Sequence, residues 1–296
     1  MIKKIKKLVI PAAGFGTRFL PATKALAKEM LPIINIPAIQ YIVEEAINSG
    51  IEDIIIIVSS QKNSIVDYFD HSYELEELLA SKNKVKEFEL VKHISNIANI
   101  FFVRQKKANG LGDAIRYAKQ FVNNEPFAVI LGDDLVFQNK KGDKPALLQC
   151  IEAYNKYNSS IIGVQKVKKS DVSKYGIIKP KSNSFKNNEI EISDLVEKPS
   201  IDQAPSNYAI LGRYVLTNDI FDALEHTKFD KSGEIQLTNA LKLLLKNNKK
   251  IYAKEFKGDR FDIGTKVGYL KATLYRTFKE PDLKSEIKDF IKKELK

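Results

Sequence analysis

The chain has 296 residues, of which 44% are hydrophobic and 29% are charged, a composition typical of a soluble globular protein. No apolar run approaches the ~18 residues of a membrane helix, and the basic start MIKKIKK lacks the apolar region of a signal peptide, so we expect no membrane partner. The single Cys150 excludes an intrachain disulfide framework and a multi-cysteine metal site, which favours the cytoplasm. The net charge of +11 comes from lysines scattered among acidic residues, so we expect attraction for anionic nucleotides but no nucleic-acid partner.

The N-terminal half alternates buried-strand and helical patterns. Predicted strands occupy residues 8–10, 53–58, 99–104 and 127–131. Predicted helices occupy residues 37–49 and 113–122, and residues 62–97 form a polar, mostly helical segment that we interpret as a lid or insertion. This alternation predicts a right-handed, doubly wound, Rossmann-like α/β sheet. Ligands of such sheets bind outside the carboxyl ends of the strands.

The second half has the pattern of a mixed-sheet extension. Predicted β segments occupy residues 161–167, 175–179, 189–196 and 208–216, and predicted helices occupy residues 218–225 and 234–246. Residues 282–296 carry apolar side chains on one helical face, which fits either a contact in a homo-oligomer (dimer or tetramer) or packing on the protein's own core. Because no linker rich in Gly, Pro or Ser appears, we predict a single domain, residues 1–296, that ends in C-terminal helices from residue 266.

The stretch 8–32, LVIPAAGFGTRFLPATKALAKEMLP, has the strongest functional signal. A strand pattern leads into a loop of small residues with two glycines, where backbone N–H groups can approach an anion closely. Arg18, Lys24 and Lys28 follow, and guanidinium and ammonium groups match phosphate oxygens. The stretch therefore favours a polyphosphate site, although a flexible loop with solvated charges has the same local pattern.

Two common phosphate loops do not fit this stretch. No segment matches the Walker A pattern G-x-x-x-x-G-K-[ST]. The dinucleotide pattern G-x-G-x-x-G fails because Phe19 stands at the third glycine, and the second strand ends in Ser59-Ser60-Gln61 without the expected acidic residue. Farther along, Asp133 follows an apolar strand, which suits a Mg²⁺ ligand or, alternatively, a residue that caps a turn.

The combination G-x-G-T-R, P-A-T-K and K-E-M-L-P resembles the sugar-nucleotide pyrophosphorylases, and within them the bacterial UTP–glucose-1-phosphate uridylyltransferases, over roughly residues 8–271. The resemblance implies a Mg²⁺-dependent reaction of UTP with glucose 1-phosphate that yields UDP-glucose and pyrophosphate. A sugar-phosphate oxygen attacks the α-phosphorus in line, without a covalent enzyme intermediate. It also implies a nucleotide-binding subregion (about 1–150) and a sugar-binding subregion (about 151–265). Alternatives are the same chemistry on another nucleotide or sugar phosphate, such as thymidylyl transfer, and a non-catalytic sugar-nucleotide sensor.

The resemblance also assigns roles to individual residues. The backbone of Ala12, Ala13 and Gly14 would hold the nucleotide, Arg18 and Lys28 the triphosphate, and Gln105 and Gly110 the uracil ring. Asp133 and Asp262, the latter in RFDIGTK, would bind Mg²⁺. Asp134 is the next carboxylate expected at the nucleotide and metal. The sugar-phosphate side would be formed by Gly176, Glu197, Lys198, Asn207 and Lys266. Of all these residues, Arg18, Lys28, Asp133 and Lys198 are the predicted catalytic group.

Overall fold

The computed structural model describes residues 2–140 and 142–295. Within these residues there are thirteen strands: β1 Lys7–Pro11, β2 Pro32–Ile33, β3 Ile36–Pro37, β4 Asp53–Val58, β5 Asn99–Arg104, β6 Phe127–Ile130, β7 Asp134–Phe137, β8 Ser160–Lys166, β9 Gly176–Pro180, β10 Glu189–Glu197, β11 Tyr208–Leu216, β12 Ile251–Glu255 and β13 Asp259–Asp262. The α-helices of the same residues are α1 Ala38–Ile47, α2 Asn63–Phe69, α3 Tyr73–Ser81, α4 Val85–Ser95, α5 Leu111–Arg116, α6 Lys119–Val122, α7 Ala146–Tyr157, α8 Ile220–Glu225, α9 Leu237–Lys246, α10 Lys266–Thr277 and α11 Pro281–Glu294. Short 3₁₀ turns cover Thr17–Phe19, Ala22–Lys24, Lys28–Met30 and Lys169–Lys174.

The N-terminal half forms a parallel sheet in the order β5-β4-β1-β6. Successive residues of a strand point to opposite faces, and here both faces are covered. Leu8 and Ile54 pack on one side with α1 and α7, while Val9 and Ile55 pack on the other with α5, α8 and α9. Burial on both sides explains the four consecutive isoleucines of β4. The predicted doubly wound α/β sheet is confirmed.

The second half continues the same sheet in the order β11-β8-β12-β10-β9. Strand β11 runs antiparallel to β6 and joins the two halves, and β11 also touches β9 through Ala209 and Ile177. The predicted β extension is confirmed. Strand β12, which was not predicted, lies between β8 and β10 and runs parallel to β8.

One predicted helix is wrong in detail. The segment 113–122 is two short helices, α5 and α6, rather than one. The break lies where Tyr117 N and Ala118 N donate to the carbonyls three residues back, at 3.2 and 2.9 Å, which tightens the turn. The Tyr117 hydroxyl also accepts a hydrogen bond from Lys106 N at 3.3 Å, which ties the break to the loop after β5.

A two-stranded antiparallel ribbon stands beside the main sheet. It pairs β7 with β13, so that Asp262 lies opposite Asp134 and Arg260 lies opposite Val136. The C-terminal helices α10 and α11 follow β13, as predicted for the residues after 266. Within residues 2–140 and 142–295, no helix is long and apolar enough to cross a membrane.

Candidate active site

The Gly-rich loop leaves the carboxyl end of β1 at the centre of the parallel sheet. Ala12 N donates to Ile57 O at 2.8 Å, which holds Ala12 and Ala13 in the core. Gly14 is the first exposed residue of the loop. Gly16 then turns the chain with a φ of 67° and starts the 3₁₀ turn that carries the exposed Arg18. The loop therefore presents small backbone groups and one guanidinium at the edge where ligands of such sheets bind.

Lys28 lies under this loop. A Cβ placed on Gly14 would be 3.9 Å from Lys28 Nζ, and the same amine donates to Asp133 Oδ2 at 2.6 Å. Burial would lower the pKa of Lys28, but the charges of Asp133 and Glu29 hold the pKa above its ordinary value. Lys28 is therefore a permanent cation that links the Gly-rich loop to the predicted metal carboxylate.

Asp133 and Asp262 lie side by side. Asp133 directly precedes β7 and Asp262 ends β13, and Ile263 N donates to Asp133 O at 3.0 Å. A Cβ on Gly264 would be 2.8 Å from Asp133 Oδ2 and 3.0 Å from Asp262 Oδ1, so this glycine provides the space for both carboxylates. Burial raises the pKa of Asp262, and the charge of Asp133 raises it further. Burial would also raise the pKa of Asp133, but Lys28 brings it below its ordinary value.

The carboxylates of Asp133 and Asp262 are suitable ligands for Mg²⁺. Within the described part of the chain, no group of three or more His, Cys, Asp or Glu side chains is arranged to enclose a metal. Mg²⁺ does not require such a cage, because it commonly takes one or two carboxylates and completes its shell with water and phosphate oxygens. Two adjacent carboxylates repel each other, and a divalent cation between them removes that repulsion. Asp133 and Asp262 are thus the residues that would hold the ion.

Asp134, the next carboxylate expected at the nucleotide and metal, is bound to a neighbouring arginine. It is 4% exposed, and its Oδ1 and Oδ2 accept hydrogen bonds from Arg260 Nε and Nη2 at 2.7 and 3.0 Å. Both carboxylate oxygens are thus engaged by the guanidinium of Arg260. The reason is the position of Arg260, which lies diagonally across the β7–β13 ladder from Asp134 and engages its carboxylate. These contacts do not support a direct nucleotide or metal role for Asp134.

Gln105, one of the two predicted base-reading residues, borders a cavity of about 510 Å³ beside the Gly-rich loop, which Ala13, Phe15 and Ser59 also line. Gln105 follows β5, and its Nε2 donates to Asp113 Oδ2 at 2.8 Å, which fixes the orientation of the carboxamide. Gly110 has a φ of 99°, and a Cβ there would be 2.9 Å from Ile235 O. The glycine at position 110 is therefore required by its own packing, whatever it does for a ligand.

The predicted sugar-side residues meet where β9 begins and β10 ends. Gly176 pairs with Glu197, and a Cβ on Gly176 would be 3.1 Å from Glu197 Oε2. The same oxygen accepts a hydrogen bond from Thr238 Oγ1 at 2.7 Å, which orients the carboxylate. Lys198 has a φ of 44° and donates its N–H to Tyr175 O at 3.0 Å, while its amine lies 3.3 Å from Glu197 Oε1. The side chain of Lys198 is 57% exposed, so its amine is accessible to an anion from the solvent side.

The remaining sugar-side predictions lie at the ends of elements. Asn207 precedes β11, and its backbone carbonyl accepts a hydrogen bond from Val167 N at 3.0 Å. Lys266 is the first residue of α10, and the preceding Thr265 caps that helix by accepting from Gly268 N at 3.1 Å. Both side chains are exposed. Asn207 Nδ2 donates to Val167 O at 3.4 Å, and the exposure of both side chains leaves them accessible to a ligand.

Residues 7–277 match the family model described as nucleotidyl transferase. The chain belongs to the nucleotidyl transferase family. It is 53% identical to a UTP–glucose-1-phosphate uridylyltransferase of Mycoplasma pneumoniae over 93% of this chain and 94% of that one. It is 50% identical to the enzyme of the same name from Staphylococcus epidermidis over 98% of this chain and 99% of the other. The resemblance inferred from the motifs is confirmed.

Solved structures give the same result. A UTP-bound UDP-glucose pyrophosphorylase from Acinetobacter baumannii superimposes with a TM-score of 0.86 at 41% identity, over 97% of this chain and 98% of that one. A UDP-glucose pyrophosphorylase complexed with UDP-glucose superimposes with a TM-score of 0.83 at 44% identity, over 93% and 100%. This nucleotidyltransferase therefore shares the whole fold, including both sides of the cleft, with those proteins.

Two buried residues beside Lys28 of this nucleotidyltransferase were not predicted. Glu29 is 0% exposed and Lys62, at the start of α2, is 4% exposed. Lys62 Nζ donates to Glu29 Oε2 at 2.8 Å. Glu29 Oε1, which has no hydrogen-bond partner among the described residues, lies 3.9 Å from Lys28 Nζ. Burial raises the pKa of Glu29 against the lowering effect of both lysines. Glu29 was visible beside Lys28 in K-E-M-L-P, whereas nothing in the local pattern distinguishes Lys62 from other lysines.

Proposed function

We propose that the protein transfers a uridylyl group from UTP to glucose 1-phosphate, giving UDP-glucose and pyrophosphate. The observation that carries the proposal is the convergence of the Gly14 loop, Lys28, Asp133 and Asp262 at one edge of the sheet. Near-full-length relatives at 50–53% identity are named for this reaction, which supports UTP and glucose 1-phosphate as the substrates.

The reaction needs positioned anions and neutralised charge rather than a protein nucleophile. The Gly14 backbone, Arg18 and Lys28 hold the triphosphate, and Lys198 holds the sugar phosphate. A sugar-phosphate oxygen then bonds to the α-phosphorus while the bond to the departing pyrophosphate breaks. The ammonium of Lys28 keeps its proton throughout and donates hydrogen bonds to phosphate oxygens. Mg²⁺, held by Asp133 and Asp262, would supply neutralisation of phosphate charge.

The proposal includes a homo-oligomer in the cytoplasm. Helices α10 and α11 expose a set of large apolar side chains, and a second copy that covers them would remove this surface from water. These side chains are Val267, Leu270, Leu274, Leu283 and Phe290. Light scattering after size exclusion measures the subunit number, and a monomer at micromolar concentration would contradict this part of the proposal.

Pyrophosphate release across a matrix of nucleoside triphosphates and sugar 1-phosphates, with Mg²⁺, tests the function. We expect UTP with glucose 1-phosphate to be the best pair. The control is Asp133→Asn, which should keep the fold and lose most of the activity at ordinary Mg²⁺ concentrations. A clear preference for dTTP, CTP or ATP would refute the uridylyl assignment. Absence of turnover with every pair, in a protein that binds UDP-glucose, would favour the sensor.

A further inference from the structure

A charge network of largely buried side chains adjoins the two carboxylates of the candidate metal site. Arg260 grips Asp134 with two parallel hydrogen bonds of 2.7 and 3.0 Å, the forked geometry that makes such pairs strong and directional. Its third nitrogen, Nη1, donates to the Tyr175 hydroxyl at 3.1 Å, and the guanidinium lies 4.9 Å from the centre of the Tyr175 ring. Asp134 is thereby tied to a residue that directly precedes Gly176 of the sugar side.

A second arginine fixes this network to the core. Arg213 is fully buried, and its Nη1 donates to the backbone oxygen of Asp134 at 2.6 Å. Its Nε and Nη2 donate to the two carboxylate oxygens of Glu45 on α1, at 3.2 and 2.5 Å. Gly212 has a φ of 59°, and a Cβ there would be 2.8 Å from Asp134 Oδ2, so the neighbouring glycine leaves room for the carboxylate. The Asp134 backbone and side chain are therefore held from two directions.

The strand register connects this network to the metal site. Asp134 follows Asp133 at the start of β7, and Arg260 stands two residues before Asp262 on β13. Because β7 and β13 pair with Asp262 opposite Asp134, the bond from Arg260 to Asp134 is a diagonal cross-strand contact within the same ladder. Any slip between the strands would break this contact and change the separation of Asp133 and Asp262.

The network also sets the charge of the site. Asp134 would be a third carboxylate close to Asp133 and Asp262, and its negative charge would add to theirs. The guanidinium of Arg260 neutralises it. Asp133 and Asp262 then remain as the carboxylate pair available to a divalent cation.

We propose that Asp134 and Arg260 are the positioning pair of the metal site: their forked contact sets the spacing of Asp133 and Asp262 at which one divalent cation binds both. This inference rests on the proposed function only for the identity of the ion. Outer-shell partners of this kind typically contribute about 10–100-fold to metal affinity or activity.

The test uses Asp134→Asn, Arg260→Lys and a matched control. Asp134→Asn keeps the shape of the side chain, and Arg260→Lys keeps the charge but loses the fork. The chain offers a second buried pair of similar exposure, Lys254 with Glu189, at 14% and 8% against 14% and 6% for Arg260 and Asp134. Glu189→Gln on β10 therefore controls for loss of a buried ion pair away from the cleft.

The primary readout is binding of Mn²⁺ alone to each full-length protein, followed by the loss of the free-ion EPR signal. We expect the Mn²⁺ dissociation constant to rise about 10–100-fold in Asp134→Asn and in Arg260→Lys, with Glu189→Gln unchanged. The urea midpoint of each variant separates this effect from unfolding. As a kinetic readout, the KM for Mg²⁺ should rise in both variants and excess Mg²⁺ should restore turnover.

The outcomes distinguish this inference from the proposed function. An unchanged Mn²⁺ affinity in folded Asp134→Asn and Arg260→Lys would overturn the positioning pair, as would a wild-type protein that does not bind Mn²⁺. An equal loss of Mn²⁺ affinity in Glu189→Gln would also overturn it, because the effect would then be one of general stability. Wild-type protein that binds Mn²⁺ and shows the expected variant effect, yet makes no UDP-glucose, would refute the proposed function and leave the positioning pair standing.

Discussion

Replacing Lys62 by methionine should strongly destabilise the protein, because it leaves the Glu29 carboxylate buried without its closest counter-charge. The two side chains are almost fully enclosed, and 2.8 Å separates Lys62 Nζ from Glu29 Oε2. Removing one partner of a buried pair typically costs about 3–5 kcal/mol, since the remaining charge loses both its attraction and its hydrogen bond. Lys28 does not replace the lost contact, because its amine lies 3.9 Å away and is bonded to Asp133.

Thermal and urea unfolding followed by circular dichroism measure this effect. At about 2–4 °C per kcal/mol for domains of 150–250 residues, the expected loss corresponds to roughly 10 °C in Tm. The control is the double variant Glu29→Gln/Lys62→Met, which removes both charges and should recover most of the stability. A Tm within about 1 °C of the wild type for Lys62→Met would contradict the reasoning, as would a double variant no more stable than the single one.

The pH dependence of Lys62→Met has a defined sign. Burial already raises the pKa of Glu29, and loss of Lys62 removes a cation that lowers it, so the pKa rises further in the variant. An acid whose pKa is higher in the folded than in the unfolded state binds more protons when folded, so it disfavours folding increasingly as pH rises between the two values. The stability deficit of Lys62→Met relative to the wild type should therefore grow from acidic to neutral pH. A deficit that shrinks over this range would contradict the assignment to Glu29.

Three further predictions concern the cleft and the core. Lys28→Ala should weaken UTP binding and lower turnover by about 10²–10³, whereas Lys198→Ala should mainly raise the KM for glucose 1-phosphate; calorimetry showing equal loss of UTP affinity in both would refute this division. Cys150 is buried and its thiol pKa is raised to about 12 by burial, so a disulfide reagent at pH 8 should react with one thiol per chain only in denaturant; fast reaction of native protein would contradict this. Gly14→Ala should keep the wild-type Tm but lose about tenfold in UTP affinity, whereas Gly16→Ala should lower the Tm.

Local sequence patterns predicted the elements whose burial is regular. The four isoleucines of β4 and the apolar spacing of α1 indicate their environment without knowledge of any partner. The same reasoning placed Asp133 at the carboxyl end of β6, at the sheet edge where the Gly14 loop also lies. It could not find β12, since a five-residue strand with two fully buried residues, Ile251 and Ala253, has little local signal.

The buried ion pairs could not be predicted, because their partners are far apart in the chain. Arg213 and Glu45 are separated by 168 positions, and Lys62 and Glu29 by 33. The local sequence around a buried lysine does not differ from that around a solvated one, because the carboxylate that pairs with it comes from a distant part of the chain. The ion pair of Asp134 could not be predicted from the sequence either. Asp133 and Asp134 are equivalent in the sequence pattern. Only the pairing register of β7 with β13 shows that Asp134 contacts Arg260.

Gly14 and Gly16 of the opening loop are glycines for different physical reasons. Their alanine variants should therefore differ in Tm and in UTP affinity. Gly16 has a φ of 67°, and a Cβ there would lie 3.1 Å from Lys28 Cβ and 3.3 Å from Thr23 Cγ2. Alanine at that position carries a left-handed backbone cost of about 1–2 kcal/mol in the protein itself. Gly14 has no such backbone, and its Cβ would meet only Lys28 Nζ, at an ordinary 3.9 Å. The fold therefore tolerates alanine at position 14, and the need for glycine must come from a ligand that approaches the backbone. Equal Tm losses in the two variants, or an unchanged UTP affinity in Gly14→Ala, would show that position 14 serves the fold and not the nucleotide.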